Sequence, residues 1–186
     1  MKVLYLNQEE NEIIRLAIEN NRSAQQKIYA KFSSKMLSVC RQYIKDIHQA
    51  EDIMITAFMK VFVNLIKFEQ KGSFEGWIRR IMVNECISHI RVQKKVSFLE
   101  DENYFEESFN NIESQFSVED IQSLIDSLPD GYKIVFNLYA IEGYKHQEIA
   151  GMLGIKEGTS KSQLSHARKI LKEQIVKLKN YSNGTE

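Results

Sequence analysis

Apolar residues recur every three or four positions along most of this sequence, which is the spacing of one face of an α-helix. In the first half this pattern predicts helices over residues 11–19, 23–43 and 51–65. Ser23 and Gln26 have the spacing of a capping box at the start of the second of these helices. One proline, eight glycines and no convincing alternation of apolar and polar residues argue against a sheet, so the predicted fold class is all-α.

The second half has the same periodicity after a stretch that lacks it. Helices resume near Ile121, a turn follows at residues 128–131, and a further helix runs through Ile141 until Gly143 closes it. This predicts two small helical domains and the segments that flank them. Their bounds are residues 1–95 and 120–180 for the domains, 96–119 for an acidic linker and 181–186 for a polar tail.

Residues 146–172 have the pattern of two helices joined by a tight turn. Ala150 lies where the helices would cross, and Gly154 lies where a helix ends in a left-handed residue. The outer face of the second helix carries the polar and basic side chains of Lys161, Ser162, Ser165, His166, Arg168 and Lys169. This pattern is typical of a helix-turn-helix that reads the major groove. An ordinary helical hairpin with a solvated basic face is the alternative.

The charges of the chain are segregated although its formal net charge is zero. Lys and Arg are concentrated in residues 60–95 and again in residues 145–179. Residues 97–120 contain no Lys or Arg and accumulate Asp and Glu. This distribution predicts two modules that face nucleic acid and a linker that repels it.

Residues 67–77 combine basic and aromatic side chains around the start of a helix, for which Ser73 is a candidate N-cap. Such a combination suits single-stranded nucleic acid, because the charges follow the phosphates and the rings stack on unpaired bases. Trp77 fits a core position better than an exposed one. Phe68, which lies between Lys67 and Lys71, is open to either role.

The remaining features predict a cytoplasmic protein that is not an enzyme. Cys40 and Cys86 lie within helical patterns and are predicted to be buried, reduced thiols. The four histidines have no zinc-ligand spacing, and the acidic residues 100–107 lie in the linker without a phosphate cradle or nucleophile nearby. Neither a metal nor a cofactor is therefore predicted. The acidic N-terminus does not resemble a signal peptide, and no apolar run is long enough for membrane insertion.

Several segments resemble the sigma factors of bacterial RNA polymerase. The run GSFEGWIRRIMVNECISHIR at residues 72–91 resembles sigma region two, and AEDIMITAF at residues 50–58 resembles the part of that region that grips the polymerase clamp. Residues 128–171, which begin LPDGYKIVFNLYAIEGYKHQEIAG, resemble region four almost throughout. The order of these regions and the short linker are similar to the compact extracytoplasmic-function group.

The resemblance implies a sigma factor that binds core RNA polymerase, recognises promoter DNA and supports strand opening for transcription initiation. Docking on the clamp of the largest subunit would use Asp52, Ile55, Thr56, Phe58, Met59 and Phe62. Contact with the melted minus-ten strand, including a flipped base, would use Lys67, Phe68, Lys71, Arg80, Asn84 and Arg91. Contact with the minus-thirty-five duplex would use Lys161, Ser162, Gln163, Ser165, His166, Arg168 and Lys169. The linker would thread toward the active-site channel or the RNA exit.

Four positions depart from the family pattern. Ile55 and Thr56 replace a glutamine and an acidic residue, so docking there is expected to lean more on apolar contact. Ser160 replaces a valine and is expected to be a slightly under-packed core position. Gln163 replaces an arginine, which removes one phosphate contact, so we expect weak DNA affinity without polymerase.

Two further expectations follow. A stand-alone helix-turn-helix transcriptional regulator is the alternative function, although it gives no purpose to the basic and aromatic residues at 67–95. The resemblance also implies an anti-sigma factor as a candidate partner, because members of this group are often held by one that covers both modules.

Overall fold

The structure of the protein is a computed structural model that describes residues 8–93 and 117–183. The chain divides into a first unit, residues 1–92, and a second unit, residues 93–186, and each is described by itself. Within the described ranges every regular element is helical, which confirms the all-α prediction. The predicted linker lies outside the described residues except for its last three positions.

The described part of the first unit contains α1 (Gln8–Ile18), α2 (Arg22–Arg41), α3 (Ile47–Asn64) and α4 (Phe74–Gln93), and a short 3-10 helix (Leu65–Lys67) follows α3. Helix α2 packs against both α1 and α3. The centre of the core is formed by side chains without solvent exposure, among them Met36, Val61, Ile78 and Met82. Each such side chain stabilises the unit by about 1.5–3 kcal/mol relative to an exposed position.

Two predicted helix starts in this unit are wrong, because Asn and Asp side chains cap the backbone earlier than expected. Asn21 caps α2, accepting the Ala24 amide at 3.1 Å, so the proposed capping box at Ser23 does not form the cap. Asp46 caps α3 and accepts the Gln49 amide at 2.8 Å. Helix α3 therefore begins at Ile47, four residues before the predicted start at residue 51.

The cap of α4 and the state of the cysteines agree with the predictions. The Gly76 amide donates to the Ser73 hydroxyl at 3.0 Å, which confirms Ser73 as the N-cap. Cys40 and Cys86 are free and buried. A hydrogen bond with Cys40, followed by burial, raises the pKa of the Cys86 thiol, so this thiol stays protonated.

The second unit contains, in its described part, α5 (Val118–Asp126), α6 (Asp130–Phe136), a π-helical segment (Asn137–Ile141), α7 (His146–Leu153) and α8 (Glu157–Asn183). Helix α5 starts three residues before Ile121, because Ser117 and Asp120 form a capping box with each other's backbone amides at 3.1 Å. Helix α8 packs against both α6 and α7. The backbone is helical through Asn183, so the first positions of the predicted polar tail belong to α8.

The turns around the helix-turn-helix match the glycine predictions. In the π-helical segment the Glu142 amide donates to the carbonyl of Asn137, five residues back, at 3.0 Å. Gly143 then ends the helix with a φ of 77°. Gly154 ends α7 with a φ of 70°, a conformation that costs glycine little because it has no Cβ. The Gly154 turn leads directly into α8, the predicted recognition helix.

Candidate nucleic-acid and polymerase interfaces

The basic face of α8, which we define as Lys161, Ser165, Arg168 and Lys169, contains residues that are neighbours at helical spacing. Lys169 is exposed and the other three are half-buried. Lys161 pairs with Glu157 one turn earlier at 2.8 Å. The hydrogen bond from Lys161 lowers the pKa of the Glu157 carboxyl, so this carboxylate is negatively charged beside the basic face.

Ser162 and Gln163 are each 1% exposed, so the prediction that Ser162 lies on the outer face of α8 is wrong, and Gln163, which was predicted to contact DNA, is buried as well. The Ser162 hydroxyl is turned back onto its own helix and donates to the Thr159 carbonyl at 3.1 Å. Gln163 lies three residues after Ser160 and four before Ala167, both of which are fully buried. The position of Gln163 therefore belongs to the inward side of α8.

Ser160 is fully buried, as expected of a core position, and its hydroxyl also forms a hydrogen bond that the sequence did not indicate. Its Oγ lies 2.9 Å from Nδ1 of His146, the first residue of α7. Burial, followed by the charges of Lys161 and Arg168, lowers the pKa of His146. The serine that departs from the family pattern thus joins the two helices of the motif.

Two tyrosines that precede the helix-turn-helix contact its polar residues. Tyr139 stacks on His146 with 4.6 Å between ring centroids, and the Arg168 guanidinium carbon lies 5.6 Å from the Tyr139 centroid. Tyr132 of α6 stacks on His166 at 5.5 Å. Sequence reasoning missed both contacts, because Tyr132 and Tyr139 match the apolar periodicity of a helix and carry no separate signal.

The segment between α3 and α4 carries exposed basic side chains and contributes Phe68 to an aromatic cluster. Phe68 packs against Phe74 and Trp77, with ring centroids 5.1 and 5.5 Å apart. Phe74 is 1% exposed, whereas Phe68 and Trp77 are half-buried. Lys67 and Lys71 are both exposed beside this cluster. Phe68 therefore has one part in the core and one part available to a ligand.

Three predicted residues of α4 lie on its solvent side. Arg80, Asn84 and Arg91 are exposed and are spaced by four and seven residues, so they share one face of the helix. Asn84 also lines a groove of about 350 Å3 between α3 and α4. The groove includes residues that the sequence did not single out, namely Lys60, Asn64, Ile81, Glu85 and Ser88. Lys60 and Glu85 form an ion pair across it.

An apolar surface runs along α3 and into the short 3-10 helix that follows it. We name Ile55, Met59, Val63 and Ile66 the α3 stripe, and these side chains are 50%, 62%, 77% and 76% exposed. Asp52 and Thr56 are exposed beside it, and Phe62 is half-buried. Monomeric soluble proteins rarely expose such a contiguous apolar surface unless a partner covers it.

Phe58 is not part of this surface, contrary to the prediction. It is 2% exposed and packs against Tyr29 and Phe62, with ring centroids 4.9 and 6.1 Å apart. Phe58 lies on the α3 face that meets α2, so it supports the helix from behind. Val63 and Ile66 were missed, although they continue the three- to four-residue spacing from Ile55 and Met59.

Neither a cluster of metal ligands nor a membrane-spanning helix is found in the described residues. No group of three or more His, Cys, Asp or Glu side chains is placed to hold a metal ion in residues 8–93 and 117–183. In the same ranges no helix is both long enough and apolar enough to cross a bilayer.

Comparison with known proteins gives matches in both units. The family "Sigma-70 region 2" matches residues 28–96, and "Sigma-70, region 4" matches residues 118–171. The chain is 30% identical to the ECF RNA polymerase sigma factor SigW of Bacillus subtilis, over 77% of this chain and 84% of SigW. It is 31% identical to the ECF RNA polymerase sigma factor SigE of Mycolicibacterium smegmatis, over 70% of this chain but about half (53%) of that relative. A solved complex of the sigma factor RpoE with the anti-sigma factor NepR from Bartonella quintana is 20% identical with a TM-score of 0.47, covering 81% of this chain and 95% of that one.

Proposed function

Because this chain belongs to the extracytoplasmic-function (ECF) sigma factors of bacterial RNA polymerase, we propose a specific division of labour among its surfaces. As a sigma factor it binds core RNA polymerase, recognises promoter DNA and supports strand opening for transcription initiation. This division of labour gives each step its own set of residues. It assigns no catalysed reaction to the chain and places it in the cytoplasm, where polymerase and promoter DNA are found.

The second unit contacts the duplex of the minus-thirty-five element in this proposal. Lys161, Ser165 and His166 face the bases, whereas Arg168 and Lys169 contact phosphates. The location of these residues on α8, the second helix of the helix-turn-helix, supports the assignment. Ser162 and Gln163 are left out of the contact set because they are buried.

The first unit holds the melted minus-ten strand in this proposal. The exposed charges of Lys67, Lys71, Arg80 and Arg91 follow its phosphates, while Phe68 and Asn84 contact an unpaired base. The partial exposure of Phe68 and the position of Asn84 in the lining of the α3–α4 groove support this assignment. Lys60 and Asn64 extend the same groove and are added to the candidate contacts.

Core polymerase covers the α3 stripe in this proposal. Burial of exposed apolar area is favourable by about 25 cal/mol per Å2, so these side chains are a source of docking free energy. Asp52 and Thr56 would lie at the polar rim, which is the usual anatomy of a protein interface. Phe58 contributes only by holding α3 in place.

One observation carries the assignment: both sigma regions match in a single chain, one in each unit. A stand-alone helix-turn-helix regulator would require only the second match. An anti-sigma factor is proposed as a further partner because such regulators are common for this group. Co-purification of a bound protein from the native cell, identified by mass spectrometry, would test this point.

Transcription in vitro tests the main proposal. Core polymerase with and without the full chain is given a library of random upstream sequences, and the transcripts are sequenced to find start sites. We expect initiation that depends on the protein and on two sequence elements at minus ten and minus thirty-five. Duplex binding without any effect on the start sites would favour the stand-alone regulator instead.

A further inference from the structure

Tyr139 connects the π-helical segment to both helices of the helix-turn-helix. Its ring stacks on His146 at the start of α7, with centroids 4.6 Å apart and an angle of 22° between the planes. The guanidinium carbon of Arg168, in α8, lies 5.6 Å from the centroid of the same ring. His146 in turn bonds to the buried Ser160 hydroxyl at 2.9 Å. A continuous series of contacts therefore links the interior of the unit to Arg168 on the basic face.

The π-helical segment explains why Tyr139 is available for this contact. Leu138 is fully buried, whereas Tyr139 is 36% exposed. A π-helical turn contains more residues than an α-helical turn, so it rotates the side chains that follow relative to a continuous α-helix. Such segments are frequent at functional sites. Here the segment turns the Tyr139 side chain away from the core, so that its ring contacts both His146 and Arg168.

We propose that Tyr139 is a positioning residue that holds the Arg168 guanidinium on the basic face of α8 for a phosphate of the promoter duplex. The inference rests on the proposed function of α8. A free arginine side chain loses much rotamer entropy when it is fixed against a ligand. The ring contact fixes part of that freedom before DNA arrives. Cations over aromatic faces are attracted by the ring quadrupole, and phenylalanine provides the same face as tyrosine.

Promoter affinity as a function of salt tests this role in the holoenzyme. The probe is a duplex promoter obtained from the random-library transcription, and the variants are Tyr139→Leu, Tyr139→Phe and Arg168→Ala. Arg168→Ala should reduce the slope of log K against log salt by about 0.9, the value for one lost phosphate contact. Tyr139→Leu should reduce the affinity by roughly two- to fivefold, which is the range for one cation–π contact. It should also reduce the salt slope, as Arg168→Ala does. Tyr139→Phe should match the wild type.

Double variants separate positioning from a general structural effect. Tyr139→Leu combined with Arg168→Ala should be no weaker than Arg168→Ala alone, because both remove the same contact. Combined with Lys169→Ala it should give additive losses, since Lys169 is exposed on the same face without a ring contact to Tyr139 in the described structure. Additive losses with Arg168→Ala, or a Tyr139→Phe variant as weak as Tyr139→Leu, would overturn the proposal.

A readout without DNA keeps this inference distinct from the proposed function. In the free full-length chain, the Nε–H proton of Arg168 should show an upfield ring-current shift in its NMR spectrum. Tyr139→Leu should remove this shift and Tyr139→Phe should retain it. An unchanged shift in Tyr139→Leu would show that Tyr139 does not hold Arg168. A holoenzyme that initiates at no promoter would instead refute the proposed function, whatever the spectrum shows.

Discussion

At the scale of single residues, the Ser160–His146 hydrogen bond gives a direct prediction about stability. A buried polar group that loses its partner costs about 1–3 kcal/mol, and the partial exposure of His146 places this case at the lower end. We expect Ser160→Val to lower the free energy of unfolding by about 1 kcal/mol. Urea denaturation followed by far-UV circular dichroism measures this change.

The matched control is Ser160→Thr, which has nearly the shape of valine but keeps the hydroxyl. The difference between the two variants therefore isolates the hydrogen bond from the change in volume. Trp77, the only tryptophan, lies in the first unit, and its fluorescence midpoint should be the same in both variants. A valine variant as stable as the threonine variant would contradict the prediction.

His146 should make the stability of the second unit depend on pH. Burial lowers its pKa in the folded state, so the unfolded chain binds a proton first as the pH falls below about 6.5. The free energy of unfolding should therefore decrease below that pH and be unaffected by this group above it. His146→Gln does not titrate and should show a flatter profile in urea midpoints measured between pH 7.5 and 5. Parallel profiles for the two proteins would refute the prediction.

At the scale of elements, one face of α3 carries the proposed polymerase-docking surface and another face packs into the core of the first unit. Met59 and Val63 are exposed on the α3 stripe, so Met59→Asp and Val63→Asp should leave the fold intact and weaken binding to core polymerase. We expect a loss of about 1–2 kcal/mol each, or roughly five- to thirtyfold in affinity, which lies between a neutral interface contact and a hot spot. Biolayer interferometry with immobilised core polymerase measures the affinity. Ser34→Asp, an exposed polar position on α2, is the matched control and should bind normally.

Phe58 provides the opposite case one residue from Met59. Because its ring is 2% exposed and packs against Tyr29, Phe58→Ala should destabilise the first unit by about 3–5 kcal/mol. The fluorescence midpoint of Trp77 in urea reports this loss. If Phe58→Ala keeps its stability but loses polymerase binding, then Phe58 belongs to the docking surface after all.

The helices themselves were predictable because their apolar spacing reflects which face is buried. The first residue of each helix was less predictable, because several nearby Asn, Asp and Ser side chains could each act as its N-cap. In α2 the choice of Asn21 over Ser23 depends on where the chain turns after α1. Gly143 and Gly154 were predictable because left-handed turns strongly favour glycine. The π-helical segment has no such local signal.

At the scale of the whole molecule, the sequence singled out the helices that carry the proposed interfaces but not every side chain that reaches the surface. Lys67, Lys71, Arg80 and Arg91 lie exposed as their charge suggests, because burying an unpaired charge is costly. Short uncharged side chains such as Ser162 carry no such cost, so the sequence alone does not predict whether they are buried or exposed. The contact between His146 and Ser160 joins residues 14 positions apart, so it depends on the turn that brings α7 and α8 together.

The segregation of charge along the chain leads to a last prediction. The net charge is zero, so the acidic residues of the linker offset the basic modules in the long-range field that DNA experiences. Changing Glu100, Asp101, Glu102 and Glu106 to their amides should increase the affinity of the free chain for a duplex of scrambled sequence. The increase should be largest at low salt and fade as the ionic strength rises, because screening removes long-range repulsion.

The same change in net charge made elsewhere separates a local effect from a global one. Glu9, Glu10, Glu12 and Glu19, in and beside α1, supply four carboxylates far from the linker in sequence. If the linker specifically repels nucleic acid, amides there should raise the affinity more than amides in the α1 set. Equal increases in the two variants would mean that only the net charge matters, and the linker would then have no special role in restraining DNA binding by the free protein.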